Sequence, residues 1–149
     1  MFGSASSGVS AYSKIGVETG VLAASPHKLI VMLFDGAIVA LSNALAQMQA
    51  GDIPSKGKSI SKAIAIIDNG LRASLDKRVG GEIAINLDAL YEYMSRQLLM
   101  ANLHNDESKI TEVQILLRDL KGAWEAISPS DTMSPADTGI STPTQTIEA

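Results

Sequence analysis

The chain has no cysteine, which excludes a disulfide scaffold, thiolate chemistry and cysteine-based zinc sites. Aromatic residues make up 4% of its 149 residues and charged residues only 19%, where soluble domains usually carry about 25% charge. The net charge of −4 offers no broad attraction for nucleic acid. No uninterrupted apolar run approaches the ~20 residues needed to span a bilayer, so membrane insertion is not expected. The first residues, MFGSASSGVSAYSK, lack a basic region followed by an apolar stretch, so they do not read as a secretory signal. These absences point to a cytoplasmic protein.

Catalytic patterns are missing too. His27 and His104 stand on different elements near helix starts and read as exposed neighbours of the caps. A di-metal bundle needs Glu-x-x-His pairs on two helices, and none occurs. Gly80–Gly81 lacks the preceding strand and the third glycine of a phosphate loop. No serine has a histidine spaced to activate it. Lys56, Lys58 and Lys62 form a local basic group that reads as a solvated helix face. We expect no enzyme, no cofactor and no metal.

What the chain does have is oil: 46% hydrophobic residues and a mean hydropathy of +0.15. It is distributed unevenly. Residues 128–149 hold four Ser, five Thr and three Pro, a composition that cannot bury enough apolar surface to offset chain entropy, so a disordered tail is expected. Residues 1–24 are rich in Gly and Ser, with Tyr12, Ile15, Val17, Val21 and Leu22 in no helical period. They read as a mobile N-terminal arm. The tail carries a net −3, the arm is neutral, and the body between them holds eleven basic against twelve acidic residues.

Residues 25–127 carry four helical patterns. The first opens with Ser25 as N-cap and Pro26 at the first helical position, and Gly51 closes it. Its inward stripe is Leu29, Met32, Leu33, Gly36, Ala37, Ala40, Ala44 and Met48. The second runs from about Pro54 to Leu75, with Ile60, Ala63, Ile64, Ile67, Leu71 and Leu75 on one face. After a polar break, DKRV, and Gly80–Gly81, the third carries Ile83, Leu87, Leu90, Tyr91, Met94, Leu98 and Ala101. Asn105 or Asp106 caps the fourth, whose stripe is Ile110, Val113, Leu117, Leu120, Trp124 and Ile127. The fold expected is all-α: an antiparallel up-and-down four-helix bundle.

A bundle helix needs one apolar stripe, and the first helix has more. Ile30, Val31, Phe34, Ile38, Val39, Leu41 and Leu45 extend round its circumference, and Ile85, Tyr93, Leu99, Leu103, Ile115 and Leu116 add to the later helices. Two readings stand: a wide core with a homodimer interface, or a groove for a partner segment. Gly36 and Gly70 inside helices cost about 1 kcal/mol each relative to Ala, which implies close packing. Asp35, amid FDGAI, is read as half-buried and hydrogen-bonded to a loop or as orienting a partner, whereas Asp88 and Glu92 read as solvated.

Six segments carry a resemblance: AYSK, ASPHKLIVMLFDGAI, LRASLD, GGEIAINLDALYEYM, LLMAN and EVQILLRDLKGAW. Together they resemble the flagellar secretion chaperone family, FliS, from about Tyr12 to Ile127. The resemblance implies a helical bundle that holds the disordered C-terminal segment of flagellin in the cytosol, prevents premature polymerisation and delivers it to the flagellar type III export apparatus. It marks Tyr12, Ser25, Pro26, Leu29, Leu33, Asp35, Gly36, Gly80, Gly81, Leu87, Leu90, Tyr91, Tyr93, Ala101, Asn102 and Trp124. Phe34 departs from the family's tyrosine at that position and removes a hydroxyl.

The client-binding residues expected are therefore Tyr12, Ile30, Leu33, Phe34, Ile38, Leu41, Leu87, Tyr91, Tyr93 and Met94. Ser25, Pro26, Gly36, Gly80, Gly81 and Trp124 are expected to cap and pack. A homodimer or a co-chaperone is the further partner considered. The arm, with Tyr12 and Ile15, is suited to fill the groove while the client is absent. The alternative function is a structural or adaptor bundle whose second stripe is the homodimer interface.

Overall fold

A computed structural model describes residues 24–127, so the expected arm, with Tyr12, and the expected tail lie outside the described residues apart from Ala24. Four helices follow in order: α1 Pro26–Gln49, α2 Ile53–Ile66 with a π-helical extension Ile67–Arg72, α3 Lys77–His104 and α4 Glu107–Glu125. No strand occurs among the described residues. Helix α1 packs on α2 and α4, and α3 packs on α4 and on the extension of α2. Short connections make each helix run antiparallel to the one before it.

Each helix starts where a side-chain oxygen meets the backbone N–H groups left free at its first turn. Ser25 Oγ accepts from Lys28 N at 3.1 Å, Asp52 Oδ1 from Ser55 N at 3.3 Å, and Asp106 Oδ1 from Ser108 N at 3.0 Å. Pro26 and Pro54 sit in the first turns, where a missing N–H costs nothing. Asn105 and Asp106 divide the work between them. Asn105 ends α3 in the left-handed region at φ 56°, and Asp106 starts α4.

Three expectations change. DKRV is not a break: Asp76 caps α3 through Arg78 N and Val79 N, and Lys77–Gly80 form a helical turn. The interruption falls at Gly81, whose φ of 56° and ψ of −131° kink the helix in a conformation closed to most L-residues. The second helix is α-helical only to Ile66. The wider π turn that follows brings Ile66, Ile67, Gly70 and Leu71 all to the buried side. Finally, α1 is long and apolar enough, by length and composition, to cross a membrane, although no unbroken apolar run of that length exists. Half of its most apolar window is buried against the other helices.

The core gathers Leu41, Ile60, Ile67, Met94, Leu98, Ile110, Val113 and Leu117, all fully buried. Burying one such side chain contributes about 1.5–3 kcal/mol. Part of the second stripe of α1 belongs to this core, since Phe34 and Leu41 are buried with it. Gly36 has the packing reason its position demanded: a Cβ there would come 3.3 Å from Ile66 Cδ1. Polar ties cross the helices as well. Gln114 Nε2 donates to Ile38 O and Ser42 Oγ, and Lys121 Nζ lies 2.6 Å from Asp35 Oδ1. Asp35 therefore pairs with α4 rather than with a loop.

Lys56 also departs from its expected place. It is only 4% exposed, and its ammonium donates to Asn102 O and Asn105 Oδ1, both at 3.0 Å. A lysine read as part of a solvated face instead closes the C-terminus of α3, where positive charge and donors are favoured.

Candidate functional site

The core is not closed along its whole length. At the end where α1 and α3 begin and α2 and α4 finish, the helices leave an apolar cleft of about 410 Å³. Ile30 and Phe34 of α1 form its floor, with Leu71, Ser74 and Leu75 at the end of the α2 extension. Ile83, Leu87 and Tyr91 come from α3, Leu120, Ala123 and Trp124 from the last turns of α4, and Ile127 from just beyond it. The steps of four between 83, 87 and 91, and between 120 and 124, put these side chains on one face of each helix.

Two features of local chain chemistry set this end apart. The kink at Gly81 lies just before the α3 residues that line the cleft, and it leaves Ile83 72% exposed. At the other wall, Trp124 Nε1 donates to His27 O at 3.0 Å, and His27 Nε2 donates to Trp124 O at 3.0 Å. The two rings stack with centroids 5.1 Å apart and planes 15° from parallel. His27, expected to be an exposed neighbour of a cap, is thus tied to α4. The pair fixes the indole at the rim of the cleft.

Polar groups in the cleft are few. Ser74 Oγ donates back to Gly70 O at 2.6 Å, which satisfies it within the chain. Tyr91 is only 4% exposed, and among the described residues its hydroxyl has no hydrogen-bond partner. Burial pushes the phenol well above its ordinary pKa, so it stays protonated and able to donate. The cleft is therefore an apolar trough in which the Tyr91 and Ser74 hydroxyls are the side-chain polar groups beside the Trp124 indole.

Of the client-binding residues expected from the sequence, the structure brings Ile30, Phe34, Leu87 and Tyr91 together in this cleft. Leu33, Leu41 and Met94 lie in the core at 2% exposure or less. Ile38 is half-buried against the same core. Tyr93 stands on the seam between α3 and α4, where its hydroxyl donates to Glu112 at 2.6 Å. That bond holds the Glu112 carboxyl below the usual carboxylate range and the Tyr93 phenol above its own. Tyr12 lies outside the described residues. Trp124, expected only to pack, is a cleft wall.

Sequence reasoning placed Leu71, Leu75, Ile83, Leu120 and Ile127 on inward stripes without separating core from cleft. The signal that could have separated them is their shared proximity to helix ends, next to the Gly80–Gly81 interruption. Asp88 is corrected as well. Its carboxylate is not a solvated group but meets Arg72 Nε at 2.6 Å and Lys77 Nζ at 3.3 Å. The Arg72 hydrogen bond, above all, holds it below the usual carboxylate range. Glu92 is exposed as expected. Among the described residues no group of three or more His, Asp or Glu is arranged to hold a metal ion.

A family model described as flagellar protein FliS matches residues 8–131. Among similar proteins, the flagellar secretion chaperone FliS of Salmonella typhimurium is 55% identical over 123 residues, 83% of this chain and 91% of that protein. The flagellar secretion chaperone FliS of Escherichia coli is 49% identical over 133 residues, covering 88% and 98%. The Bacillus subtilis protein of the same name is 30% identical over 114 residues, covering 76% and 84%.

Proposed function

The chain belongs to the FliS family of flagellar secretion chaperones, and from that membership we propose that it is a cytoplasmic export chaperone for flagellin. It binds the disordered C-terminal segment of the subunit, keeps it from polymerising and presents it to the flagellar type III export apparatus. It acts by binding, without catalysis.

The observation that carries this reading is the open end of the core. A coiled-coil-forming segment that has not yet assembled exposes an apolar face at helical spacing. A cleft walled by Ile30, Phe34, Leu87, Tyr91 and Trp124 can bury such a face. The client gives up chain entropy on binding, so part of the burial energy offsets that ordering. The Tyr91 hydroxyl supplies a polar contact where backbone groups of the client would otherwise be desolvated without partners.

The arm enters the same scheme. Residues 1–23 join α1 at the cleft end, and Tyr12 and Ile15 give them apolar groups to lay in the trough until the client displaces them. The test is titration of the full chain with the C-terminal peptide of the same organism's flagellin, followed by calorimetry. Saturable 1:1 binding that weakens in Leu87→Asp is expected. No binding at tens of micromolar, with the bundle intact by circular dichroism, would overturn the proposal. Deleting residues 1–16 should tighten client binding, and an unchanged affinity would remove the arm from the mechanism.

A further inference from the structure

The π turn that ends α2 is tied to α3 by side chains that stand beside the cleft. Such turns are rare, occur mostly as single turns and are frequent at functional sites, because an α-helix is the default for the same residues. Here the turn occupies the six residues Ile67–Arg72. An α-helix advances about 100° per residue and the wider turn advances less, so the chain leaves it about one position behind. Were the segment α-helical, Arg72, Ser74 and Leu75 would stand about 100° further round the helix. The lag decides which of them reach α3 and which reach the cleft.

Two residues of the turn meet two residues of α3. Arg72 Nε donates to Asp88 Oδ1 at 2.6 Å and Arg72 Nη2 to Asp88 Oδ2 at 3.4 Å, a two-pronged pair that fixes orientation as well as distance. Asp68 Oδ1 accepts from Ser95 Oγ at 2.9 Å and lies 3.8 Å from Arg72 Nη1. Ser95 is buried, so this second tie reaches into the seam between the helices. Asp88 and Ser95 are seven residues apart, two turns along one face of α3. Each half of the Arg72–Asp88 pair also follows a cleft residue in the chain, Leu71 and Leu87. Lys77 Nζ meets the Asp88 carboxylate at 3.3 Å, but from the first turn of α3 itself, so it does not span the seam.

We propose that Arg72 and Asp88, seconded by Asp68 and Ser95, are positioning residues for the cleft. Their grip on α3 holds the extension of α2 in its π register, and that register keeps Ser74 and Leu75 on the cleft wall beside Leu71. When the grip is released, the extension tightens to an α-helix, Leu75 turns off the wall and the client loses part of its apolar contact. The inference rests on the reading of the cleft as the client site, and it adds the device that sets the shape of that site.

Trp124, the single tryptophan of the chain, lines the cleft, so its emission reports on the wall without any client. In the full chain, Arg72→Gln and Asp88→Asn, each folded by circular dichroism, should shift that emission to longer wavelength. Both should weaken binding of the flagellin C-terminal peptide about tenfold. Deletion of Asn69, an exposed residue of the turn, takes out the one extra position, so the helix runs on as α with Arg72 to Leu75 where they now stand. The deletion alone should bind the peptide within about twofold of the wild type. Combined with Asp88→Asn, it should restore both binding and emission, a rescue that a loss of stability alone would not allow. Four results overturn the proposal: Arg72→Gln and Asp88→Asn binding like the wild type, either of them unfolding, the deletion alone abolishing binding in a folded chain, or the combined variant failing to recover. A wild-type chain that binds no peptide counts against the export-chaperone reading instead, and the Trp124 emission of the same variants then decides this inference by itself.

Discussion

His27 and Trp124, 97 residues apart, hold each other by both backbone and side chain. Each ring N–H donates to the other residue's carbonyl at 3.0 Å, and the rings stack at 5.1 Å. The pair joins the first turn of α1 to the last turn of α4, two helix ends that would otherwise fray at the mouth of the cleft. Trp124→Phe retains the ring stack but leaves His27 O without its donor. A loss of about 1 kcal/mol in urea unfolding is expected. His27→Ala, which removes both the stack and one bond, should cost more, about 2 kcal/mol. Equal effects of the two changes would mean that stacking contributes nothing.

Tyr91 gives a prediction of opposite sign. Its hydroxyl is buried without a partner among the described residues, and such a group opposes folding. In the free protein, Tyr91→Phe should leave stability unchanged or raise it by about 1 kcal/mol, read as a higher thermal midpoint. The same change should weaken client binding by about threefold to tenfold, because the contact made by the hydroxyl is lost. A variant that is less stable and binds normally would place the hydroxyl in the fold and not in recognition.

Lys56 should behave unlike its neighbours. Lys56→Met keeps the buried apolar stem but leaves Asn102 O and Asn105 Oδ1 without their donor at the C-terminal end of α3. We expect a loss of about 1–3 kcal/mol in denaturant unfolding. Lys58→Met and Lys62→Met, made on an exposed face, should stay within about 0.5 kcal/mol of the parent. Amide exchange in the α3–α4 connection should rise only in the first variant.

Asp88 makes part of the stability depend on acid. Its folded pKa is depressed, chiefly by the Arg72 hydrogen bond, below the value it takes when unfolded. A depressed carboxyl stabilises the fold above the unfolded pKa, near pH 4, and that stability is lost as pH falls through the lower folded value. Asp88→Asn should therefore be less stable than the parent at pH 7, and the two curves should converge below pH 4. Unfolding midpoints measured between about pH 2 and pH 7 check this. Parallel curves would show that the ion pair contributes nothing.

Much of the fold was legible along the chain because its signals are local. Ser25 with Pro26, and Asp106, mark helix starts through hydrogen bonds that span two or three residues. The three- and four-residue steps of Ile110, Val113, Leu117, Leu120 and Trp124 place those side chains on one side of α4 whatever surrounds it. Family resemblance added the chaperone role, and comparison with known proteins placed the chain in that family.

The sequence by itself determined four helices, the caps of the first and the last, and most of the residues that face inward. It did not determine which inward residues are enclosed. Leu33 and Phe34, adjacent in sequence and both apolar, differ in that one is core alone while the other also floors the cleft. Tertiary structure decided that difference, along with the burial of Lys56 and the pairing of His27 with Trp124. The physical reason is range. Periodicity fixes the angle of a side chain about its own helix, but whether a neighbouring helix fills that sector depends on where helices cross. Here a positive-φ glycine at position 81 and a π turn at Ile67–Arg72 stand at the end of the core that is left open.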